Sequence, residues 1–385
     1  RKIERLVKRQ YSCLHDEILP GLERHGVRLS RPADLSSTQR AELTGYFTTQ
    51  VLPVLTPLAV DQAHPFPILN SGAIEIAVSM KPADRKKLVY AFVEVPDVLP
   101  RFIEVPGMQP GRTFVLLEDV IMDNLGALFS GCEIEEFFPF RVTRDMDFSV
   151  EDEGAEDLLQ SIEKKLLQRR HREPIRVEVL TNTRGPLARW LEQEFRLDEQ
   201  FWYAVRGPLH LKQFFELVGK ARLPELLEPA WPAVEPAAFS EHNSVFDAIS
   251  AKGTILVAPP FHSFSPVVRL LQQAADDPDV LAIKQTLYRV SGNSPVVRSL
   301  QRAAENGKQV TVVVELKARF DEGNNIAWAR LLEESGAHVV YGVAGLKVHS
   351  KALLVVRRED GAIRRYVHLS TGNYNDKTPA IYTDM

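Results

Sequence analysis

The most constraining feature of the sequence is a regular alternation of two patterns from residue 254 to residue 341. Short runs of β-branched and other apolar residues alternate with stretches whose apolar residues recur at helical spacing. The predicted strands are 254–258, 280–286, 309–315 and 338–341, and the predicted helices between them are 266–275, 295–306 and 324–335. Nearly all-apolar strands separated by helices are typical of a parallel sheet that helices cover. The alternation therefore predicts an α/β domain with a mostly parallel sheet. Two further strands, 348–356 and 364–370, are joined by an Asp-Gly turn and predict a β-hairpin.

A chain of 385 residues is long enough for two or three domains, and changes in pattern suggest the boundaries. Residues 1–26 have apolar residues at helical spacing and predict a mainly helical segment. Residues 27–225 predict an α+β head domain, because strand and helix patterns follow one another in mixed order. Its predicted strands are 73–78, 88–95, 114–117 and 175–180, and its predicted helices are 119–128 and 153–169. The proline-rich stretch 226–240 predicts a linker, and 241–385 is the last domain.

Cysteine content and hydropathy indicate the cellular compartment. Cys13 and Cys132 are far apart and lack the spacing of metal ligands, so incidental thiols in a reducing compartment are the simplest interpretation. No apolar run approaches the ~20 residues that a membrane span requires. We expect a cytoplasmic protein without a transmembrane segment, and peripheral attachment to a membrane stays open. The chain starts with Arg1 rather than Met, which suggests that an N-terminal piece is missing.

His349 is the best candidate for a reactive residue. It lies between Lys347 and Lys351, and residues two apart in a strand project from the same face. The positive charge of neighbouring lysines disfavours the protonated imidazole, so a ring nitrogen stays nucleophilic near neutral pH. A neutral histidine can accept a phosphoryl group, and a lysine can neutralise the transferring oxygens. By itself, however, so short a pattern is also typical of a partly buried strand histidine.

Two arginines follow neighbouring strands of the predicted sheet. Arg289 comes just after strand 280–286, and Arg319 just after strand 309–315. Ligands of open parallel sheets bind outside the carboxyl ends of the strands, so these guanidinium groups could converge on one phosphate. Each arginine alone could equally form a surface salt bridge, but with His349 they favour a phosphoryl-transfer site. An excess of basic residues from 281 to 385, 15 Lys and Arg against 10 Asp and Glu, fits an anionic ligand.

A polar turn from Ser370 to Asn375 offers neutral hydrogen-bonding groups. Gly372 would allow close backbone approach, and Thr371 and Asn373 could bind phosphate oxygens. An ordinary turn is the equally good alternative. His368 could support the site or simply pack. The glycine-rich loops that usually cradle phosphates are absent from the sequence, so any nucleotide would have to be held by side chains.

These motifs resemble two known families. The His-x-Lys strand followed by Ser-Thr-Gly-Asn-Tyr-Asn resembles the half-site of the phospholipase D superfamily, although Val356 stands where that pattern has an Asp. A closer resemblance is to polyphosphate kinase of the bacterial, histidine-phosphorylating type. The segments that carry it are 281–290, 312–322, 345–351 and 370–375, together with 52–61 and 64–67 upstream. The resemblance implies that 1–26 is the end of an N-terminal helical domain. It also implies a phospholipase D-like fold for 241–385 and a second such domain that this chain lacks.

The resemblance also implies a role for each site residue. It implies that His349 is the phosphohistidine nucleophile, that Arg289 and Arg319 lie at the magnesium–phosphate site, and that Tyr382 contacts the nucleotide. Because an arginine cannot ligate a cation, the two arginines would hold phosphate oxygens that Mg²⁺ also bridges. The implied cofactor is Mg²⁺, and the implied partners are ATP or ADP and inorganic polyphosphate rather than a nucleic acid. A homo-oligomer stays open.

The reaction implied by the resemblance is reversible transfer of the ATP γ-phosphate to polyphosphate through His349. Two alternatives stay open. A phospholipase D-like phosphodiesterase or transferase would need two His-x-Lys copies, each completed by an Asp, and this chain has one copy. A non-catalytic polyphosphate- or nucleotide-binding module gains weight because parts of the family's site are missing from this chain.

Overall fold

The computed structural model describes residues 2–60, 65–83, 87–106, 111–145, 155–168, 172–229, 231–318, 321–343 and 346–385. Arg319, one of the predicted phosphate-binding residues, lies outside these ranges. The chain divides into two compact units, Arg1–Asp147 with Gln168–Glu228 and Phe148–Leu167 with Pro229–Met385. In the part of the chain that the structure describes, no helix is both long and apolar enough to cross a membrane.

The helices of the described residues are α1 (Lys2–Ser12), α2 (Leu19–Arg24), α3 (Ser37–Tyr46), α4 (Leu117–Asp123), α5 (Leu125–Leu128), α6 (Ala155–Gln168), α7 (Pro186–Phe195), α8 (Phe214–Ala221), α9 (Ala237–Ser240), α10 (Val245–Lys252), α11 (Ser265–Asp276), α12 (Pro295–Glu305) and α13 (Glu322–Glu334). A π-helical segment, Cys13–Ile18, connects α1 to α2. The helical pattern predicted for the N-terminus is therefore present. It buries Tyr11 and Leu14 in a core of the first unit.

The strands are β1 (Val27–Leu29), β2 (Leu58–Val60), β3 (Ile74–Pro82), β4 (Val89–Glu94), β5 (Phe102–Val105), β6 (Arg112–Leu116), β7 (Cys132–Arg144), β8 (Pro174–Leu180), β9 (Trp202–Val205), β10 (Val280–Leu287), β11 (Gln309–Val314), β12 (His338–Tyr341), β13 (Lys351–Glu359) and β14 (Ala362–Ser370). The strand predicted at 254–258 is wrong, because these residues form no ladder. Their backbone turns instead at Ala258, whose N–H donates to His262 Nδ1 at 3.2 Å. Pro259 and Pro260 follow directly and supply no N–H for a ladder.

The first unit contains two sheets. Its six-stranded sheet has the order β2-β4-β3-β7-β8-β9, in which only β8 and β9 pair in parallel. A smaller sheet has the order β1-β6-β5. Mixed order of strands and helices agrees with the α+β prediction. The central and longest strand, β7, was missed because its first half alternates exposed glutamates with partly buried residues.

A buried ion pair connects three segments of the first unit. Arg101 is 3% exposed, and its Nε donates to Glu118 Oε2 at 3.1 Å. The same guanidinium donates to the backbone oxygens of Leu209 at 2.8 Å and His210 at 3.0 Å. Arg101 therefore ties α4 to the segment that follows β9, and its charge is matched by a carboxylate that is equally buried.

Glu75 gives the first unit a pH-dependent stability. Burial, together with Glu94 directly opposite on β4, raises the pKa of Glu75 from 4.5 to about 8. The folded state thus holds this proton more tightly than the unfolded state. The free energy of unfolding falls as pH rises from 4.5 through about 8. We expect Glu75→Gln to melt at a higher temperature than wild type above pH 8 and at the same temperature near pH 4.5.

Thermal unfolding followed by circular dichroism at the two pH values measures this effect. Glu104→Gln is the matched control, since Arg112 lowers the pKa of that more exposed carboxyl, and its loss should raise the melting temperature at neither pH. A rise of equal size at both pH values in Glu75→Gln would contradict the titration as the cause.

The second unit is built on one five-stranded sheet with the order β12-β11-β10-β13-β14. β10, β11 and β12 are parallel, whereas β13 is antiparallel to β10 and β14 is antiparallel to β13. The prediction of a mostly parallel sheet holds only for β10 to β12: the sheet is mixed, because the C-terminal hairpin adds to the free edge of β10. The predicted hairpin is present, and Asp360 and Gly361 form its turn at positive φ, as Asp-Gly turns do.

The core of the second unit combines residues from distant parts of the sequence. α11, α12 and α13 bury their apolar residues against alternate residues of the strands, among them Ile283, Val312 and Leu353. Phe239 of α9, within the proline-rich stretch 226–240, belongs to the same core. So does Ile162 of α6, although residues 153–169 were predicted to lie in the head domain. The second unit thus includes a helix that precedes the last part of the first unit in sequence.

Candidate functional site

β10 and β11 end side by side, and the predicted site residues follow them. Leu287 pairs with Val314 in the parallel ladder, and the N–H of Glu315 donates to Leu287 O at 3.0 Å. The buried side chain of Asn325, on α13, donates through Nδ2 to the backbone oxygens of Tyr288 and Glu315, each at 2.8 Å. One amide group therefore fixes the backbone beyond both strands, so the side chains there are held in a defined arrangement.

Glu315 anchors the segment that leads to His349. Its carboxylate is buried, with 3% of the residue exposed. Oε1 accepts a hydrogen bond from the N–H of Lys317 at 2.9 Å, and Oε2 accepts one from the N–H of Val348 at 2.7 Å. A charged acceptor makes stronger hydrogen bonds than a neutral one. The residue before His349 is therefore fixed to the end of β11.

The other side of His349 is fixed to β10. Thr286 Oγ1 donates to Ser350 O at 2.7 Å and accepts from the N–H of Ala352 at 3.0 Å. The predicted strand 348–356 begins later than expected, at Lys351, because Glu315 takes the hydrogen bond that Val348 would otherwise offer to a ladder. His349 therefore lies just outside the strand, with an exposed side chain.

Lys351 is nevertheless beside His349. Its Nζ donates to His349 O at 2.6 Å and lies 3.3 Å from each imidazole nitrogen. The charge of Lys351 lowers the pKa of His349, and burial, Lys347 and Arg289 lower it further, while Glu315 acts in the opposite direction. A histidine with a lowered pKa is neutral near pH 7 and keeps a free ring lone pair. This is the direction that the sequence predicts.

The ring of Tyr288 is surrounded by cationic groups. The imidazole of His349 meets it edge-on, with 5.0 Å between ring centroids and 83° between ring planes. Lys347 Nζ and Lys351 Nζ each lie 5.4 Å from the ring centroid, and Arg289 Cζ lies 5.7 Å from it. Arg289 also pairs with Asp321, with 2.9 Å between Nε and Oδ2. The structure thus brings together Arg289, His349 and Lys351.

The polar turn begins next to Lys351, because Ser370 is its partner in the β13–β14 ladder. The hydroxyl of Thr371 donates to Asp384 Oδ1 at 2.8 Å and accepts from the N–H of Met385 at 3.0 Å, so it is already engaged. Asn373 Oδ1 is buried and has no hydrogen-bond partner among the described residues. Tyr382 is 61% exposed, and its N–H donates to Thr378 O at 3.0 Å.

Gly372 permits a close approach, but the approaching group belongs to this chain. A Cβ at position 372 would lie 2.5 Å from Asp384 Oδ2. His368 is a packing residue: its Nδ1 lies 2.9 Å from the hydroxyl of the buried Tyr374, and burial lowers the pKa of His368 to about 4. Of the two interpretations left open for His368, the structure favours packing.

The charges around His349 do not suit direct binding of a metal ion. The groups nearest to it are the lysines and Arg289, and the carboxylate of Asp321 is paired with that arginine. Across the described ranges, no three His, Cys, Asp or Glu side chains are grouped closely enough to hold a metal ion. The side chains described here therefore do not fit a directly coordinated Mg²⁺, which prefers oxygen ligands.

Sequence reasoning missed Glu315, Thr286 and Asn325, which position the site. Each of them acts through a partner that is distant in sequence. One signal was available: an acidic residue at the end of an apolar strand is unusual, because a buried carboxylate needs hydrogen-bond donors. Glu315 had that signature.

The role of Glu315 leads to a prediction. In Glu315→Gln an amide N–H₂ replaces one oxygen and faces a backbone N–H, so one of the two hydrogen bonds is lost. We expect a loss of about 1–3 kcal/mol in the free energy of unfolding, as for other buried polar groups left without a partner. We also expect a displaced His349. Urea denaturation measures the first effect, and histidine-selective NMR measures the second. Glu305→Gln, an exposed position at the end of α12, should change neither. An unchanged His349 signal would contradict the anchoring role.

An α+β unit and an α/β unit, the second with Lys347, Lys351 and Arg289 gathered near His349, together define a multidomain α/β protein. Residues 38–217 match the family described as Polyphosphate kinase middle domain, and residues 244–385 match Polyphosphate kinase C-terminal domain 1. The chain belongs to the polyphosphate kinase family.

Known proteins of this family align over the whole chain. It is 45% identical to a polyphosphate kinase of Exiguobacterium sibiricum over 389 residues, which cover 100% of this chain and 54% of that protein. It is 45% identical to a polyphosphate kinase of Streptomyces coelicolor, and the alignment covers 99% of this chain and 51% of that protein. The crystal structure of polyphosphate kinase from Porphyromonas gingivalis superposes with a TM-score of 0.74 at 30% identity, with 99% of this chain and 56% of that chain covered. The chain spans about half the length of these relatives.

Proposed function

We propose that the polypeptide to which this chain belongs is an ATP–polyphosphate phosphotransferase, and that His349 carries the phosphoryl group between the two substrates. One observation supports this most directly. Lys351 Nζ lies 3.3 Å from both imidazole nitrogens, and its charge, with those of Lys347 and Arg289, lowers the pKa of His349, so a nucleophile lies in a site that attracts negative charge. Family membership supports the choice of substrates, since the relatives are named polyphosphate kinases.

In the proposed reaction, an unprotonated ring nitrogen of His349 attacks the γ-phosphorus of ATP. An N–P bond forms while the bond to the β,γ-bridging oxygen breaks, and ADP leaves with that electron pair. A terminal oxygen of polyphosphate then attacks the same phosphorus, and the N–P bond breaks. Both steps are reversible, because each exchanges one phosphoryl donor for another of similar reactivity.

The surrounding residues act by charge and position. Lys351, next to both ring nitrogens, neutralises the transferring oxygens and favours the unprotonated ring. Arg289 holds phosphate oxygens once its guanidinium turns from Asp321, and Arg319 is proposed to do the same. We propose that Asn373, with its unpartnered Oδ1, and the exposed Tyr382 contact the nucleotide. Thr371 would contact the nucleotide only if its hydroxyl gave up the hydrogen bond to Asp384. Mg²⁺, if carried by the phosphates rather than by these side chains, would supply further neutralisation of their charge.

The test is phosphorylation of the complete polypeptide with γ-labelled ATP. We expect acid-labile, base-stable label on the peptide that contains His349, and its removal by added ADP or polyphosphate. Label that is stable to acid, or that maps to another peptide, would refute the proposal. We further propose a cytoplasmic location, where ATP is available; self-association would be measured separately by light scattering.

A second candidate is a polyphosphate- or nucleotide-binding module without turnover. The observation that favours it is the gathering of Lys347, Lys351 and Arg289 around Tyr288, which would bind phosphate groups whether or not a transfer follows. Retention on immobilised polyphosphate, compared with ATP turnover of the same sample, separates the two candidates. Retention without turnover would favour the module. A phospholipase D-like activity has less support, because Val356 occupies the position of the required Asp and its neighbours in the sheet are Ala282 and Arg365.

A further inference from the structure

We propose that Tyr288 is a positioning residue: its ring holds Lys347, Lys351 and Arg289 around His349 without neutralising them. The inference rests on the proposed function and extends it to a residue that neither the motifs nor the comparisons assign. It concerns how the site keeps several positive charges together while leaving them available to a phosphate anion.

Several like charges lie near one ring. Three cationic groups lie within 5.7 Å of the Tyr288 centroid, and these groups repel one another. Proteins usually offset such repulsion with carboxylates. Asp321 does so for Arg289, and the charge of Asp384 acts on Lys351, but across the described residues neither Lys347 nor Lys351 forms an ion pair. Glu315, the buried carboxylate nearby, accepts hydrogen bonds from backbone N–H groups instead.

An aromatic ring is suited to this task for a physical reason. Its face carries partial negative charge and attracts ammonium and guanidinium groups, but it has no net charge. A carboxylate in its place would compete with phosphate for the lysines and would raise the pKa of His349. The ring avoids both effects. Neither lysine is then paired with a carboxylate, so both ammonium groups stay available to a ligand with several phosphate groups.

The ring is itself well placed. The backbone oxygen of Tyr288 accepts a hydrogen bond from the buried Asn325 at 2.8 Å, directly after the last residue of β10. Its edge-on contact with His349 limits the rotation of the imidazole. Within the described part of the chain, the phenol hydroxyl has no hydrogen-bond partner, so the contacts of Tyr288 in this cluster belong to its ring.

The test compares Tyr288→Phe with Tyr288→Leu in the complete polypeptide. Phe261→Leu is the matched control, because Phe261 is an aromatic residue of the same unit that packs on Trp231. Three quantities are measured: the pKa of His349 by histidine-selective NMR, the affinity for inorganic tripolyphosphate by calorimetry, and the rate of label incorporation from γ-labelled ATP. The His349 signal is assigned by its absence from a His349→Gln sample.

We expect Tyr288→Phe and Phe261→Leu to behave as wild type in all three measurements. In Tyr288→Leu, we expect the lysines to spread apart and the pKa of His349 to move back up toward its ordinary value. Tripolyphosphate affinity should fall by roughly 10- to 100-fold, the effect of losing about three cation–π contacts. Thermal unfolding shows whether Tyr288→Leu is folded; if it is not, Tyr288→Met supplies the same comparison with less loss of volume.

Two results would overturn the proposal: a folded Tyr288→Leu with an unchanged His349 pKa and tripolyphosphate affinity, or a Tyr288→Phe that behaves like Tyr288→Leu. The NMR and calorimetric measurements do not depend on turnover. If the proposed function fails, wild type takes up no label, yet the difference in His349 pKa between the variants persists. If the present inference fails, wild type takes up label and that difference is absent.

Discussion

Replacing His349 with glutamine is expected to lower the rate of phosphate transfer by on the order of 10⁴-fold or more, the size of effect seen when a covalent nucleophile is removed. Glutamine has similar size and polarity, but its amide nitrogen carries no available lone pair. Glu315 and Thr286 fix the backbone on either side of position 349, so the substitution should leave their hydrogen bonds intact. The loss would therefore be chemical rather than structural.

Initial rates of polyphosphate formation, together with incorporation of label from γ-labelled ATP, measure this effect in the complete polypeptide. His338→Gln is the matched control, because His338 is an exposed histidine at the start of β12 in the same unit. It should retain full activity. Turnover of His349→Gln within tenfold of wild type would rule out the phosphohistidine route.

The second large effect is expected in the first unit, from Arg101→Met. Removing this guanidinium leaves the carboxylate of Glu118 buried without its cation, and two backbone oxygens lose a donor. Breaking a buried ion pair in this way costs about 3–5 kcal/mol of stability. Because a well-packed apolar pair avoids the buried charge, the double variant Arg101→Met with Glu118→Leu should recover a large part of that loss.

Urea denaturation followed by tryptophan fluorescence measures the change, since Trp190 and Trp202 both report on the first unit. Arg206→Met is the control: its pairing with Asp16 is largely exposed, and exposed pairs contribute about 0–1 kcal/mol. If the two arginine variants lost equal free energy of unfolding, burial of the Arg101–Glu118 pair would not be the cause of the loss.

The secondary structure of the second unit was largely predictable from its sequence. Apolar runs such as 280–286 and 309–315 are strands because they are bounded by turns and separated by amphipathic helices. The run 254–258 has the same composition but no partner strand, and no periodicity reveals a missing partner. The sheet is mixed for a related reason: local pattern identifies the hairpin, but not the edge of the sheet to which it adds. β7 was hidden by glutamates, which a partly exposed strand tolerates.

The charged residues of the site were predictable from the sequence, but the residues that position them were not. Arg289, His349 and Lys351 were recognised from residue type and spacing, and the structure brings them together. Glu315 and Tyr288 were not recognised, because their roles depend on contacts across long stretches of sequence. Nor does composition show that the hydroxyl of Thr371 is already engaged by Asp384. The sequence alone identifies the reactive groups, whereas the groups that orient them are recognised only from contacts in the three-dimensional structure.

The position of α6 in the sequence has a consequence for how the chain folds during synthesis. The ribosome releases this helix before α7 and α8, yet its Ile162 packs in a core whose strands, β10 to β14, emerge much later. Until those strands are synthesised, the apolar side of α6 is exposed to solvent, and exposed apolar surface favours aggregation. A gene fragment that starts at the proline-rich stretch would encode the strands without that helix. Ile162 is fully buried in the described structure, and such a fragment would expose the apolar surface that it covers.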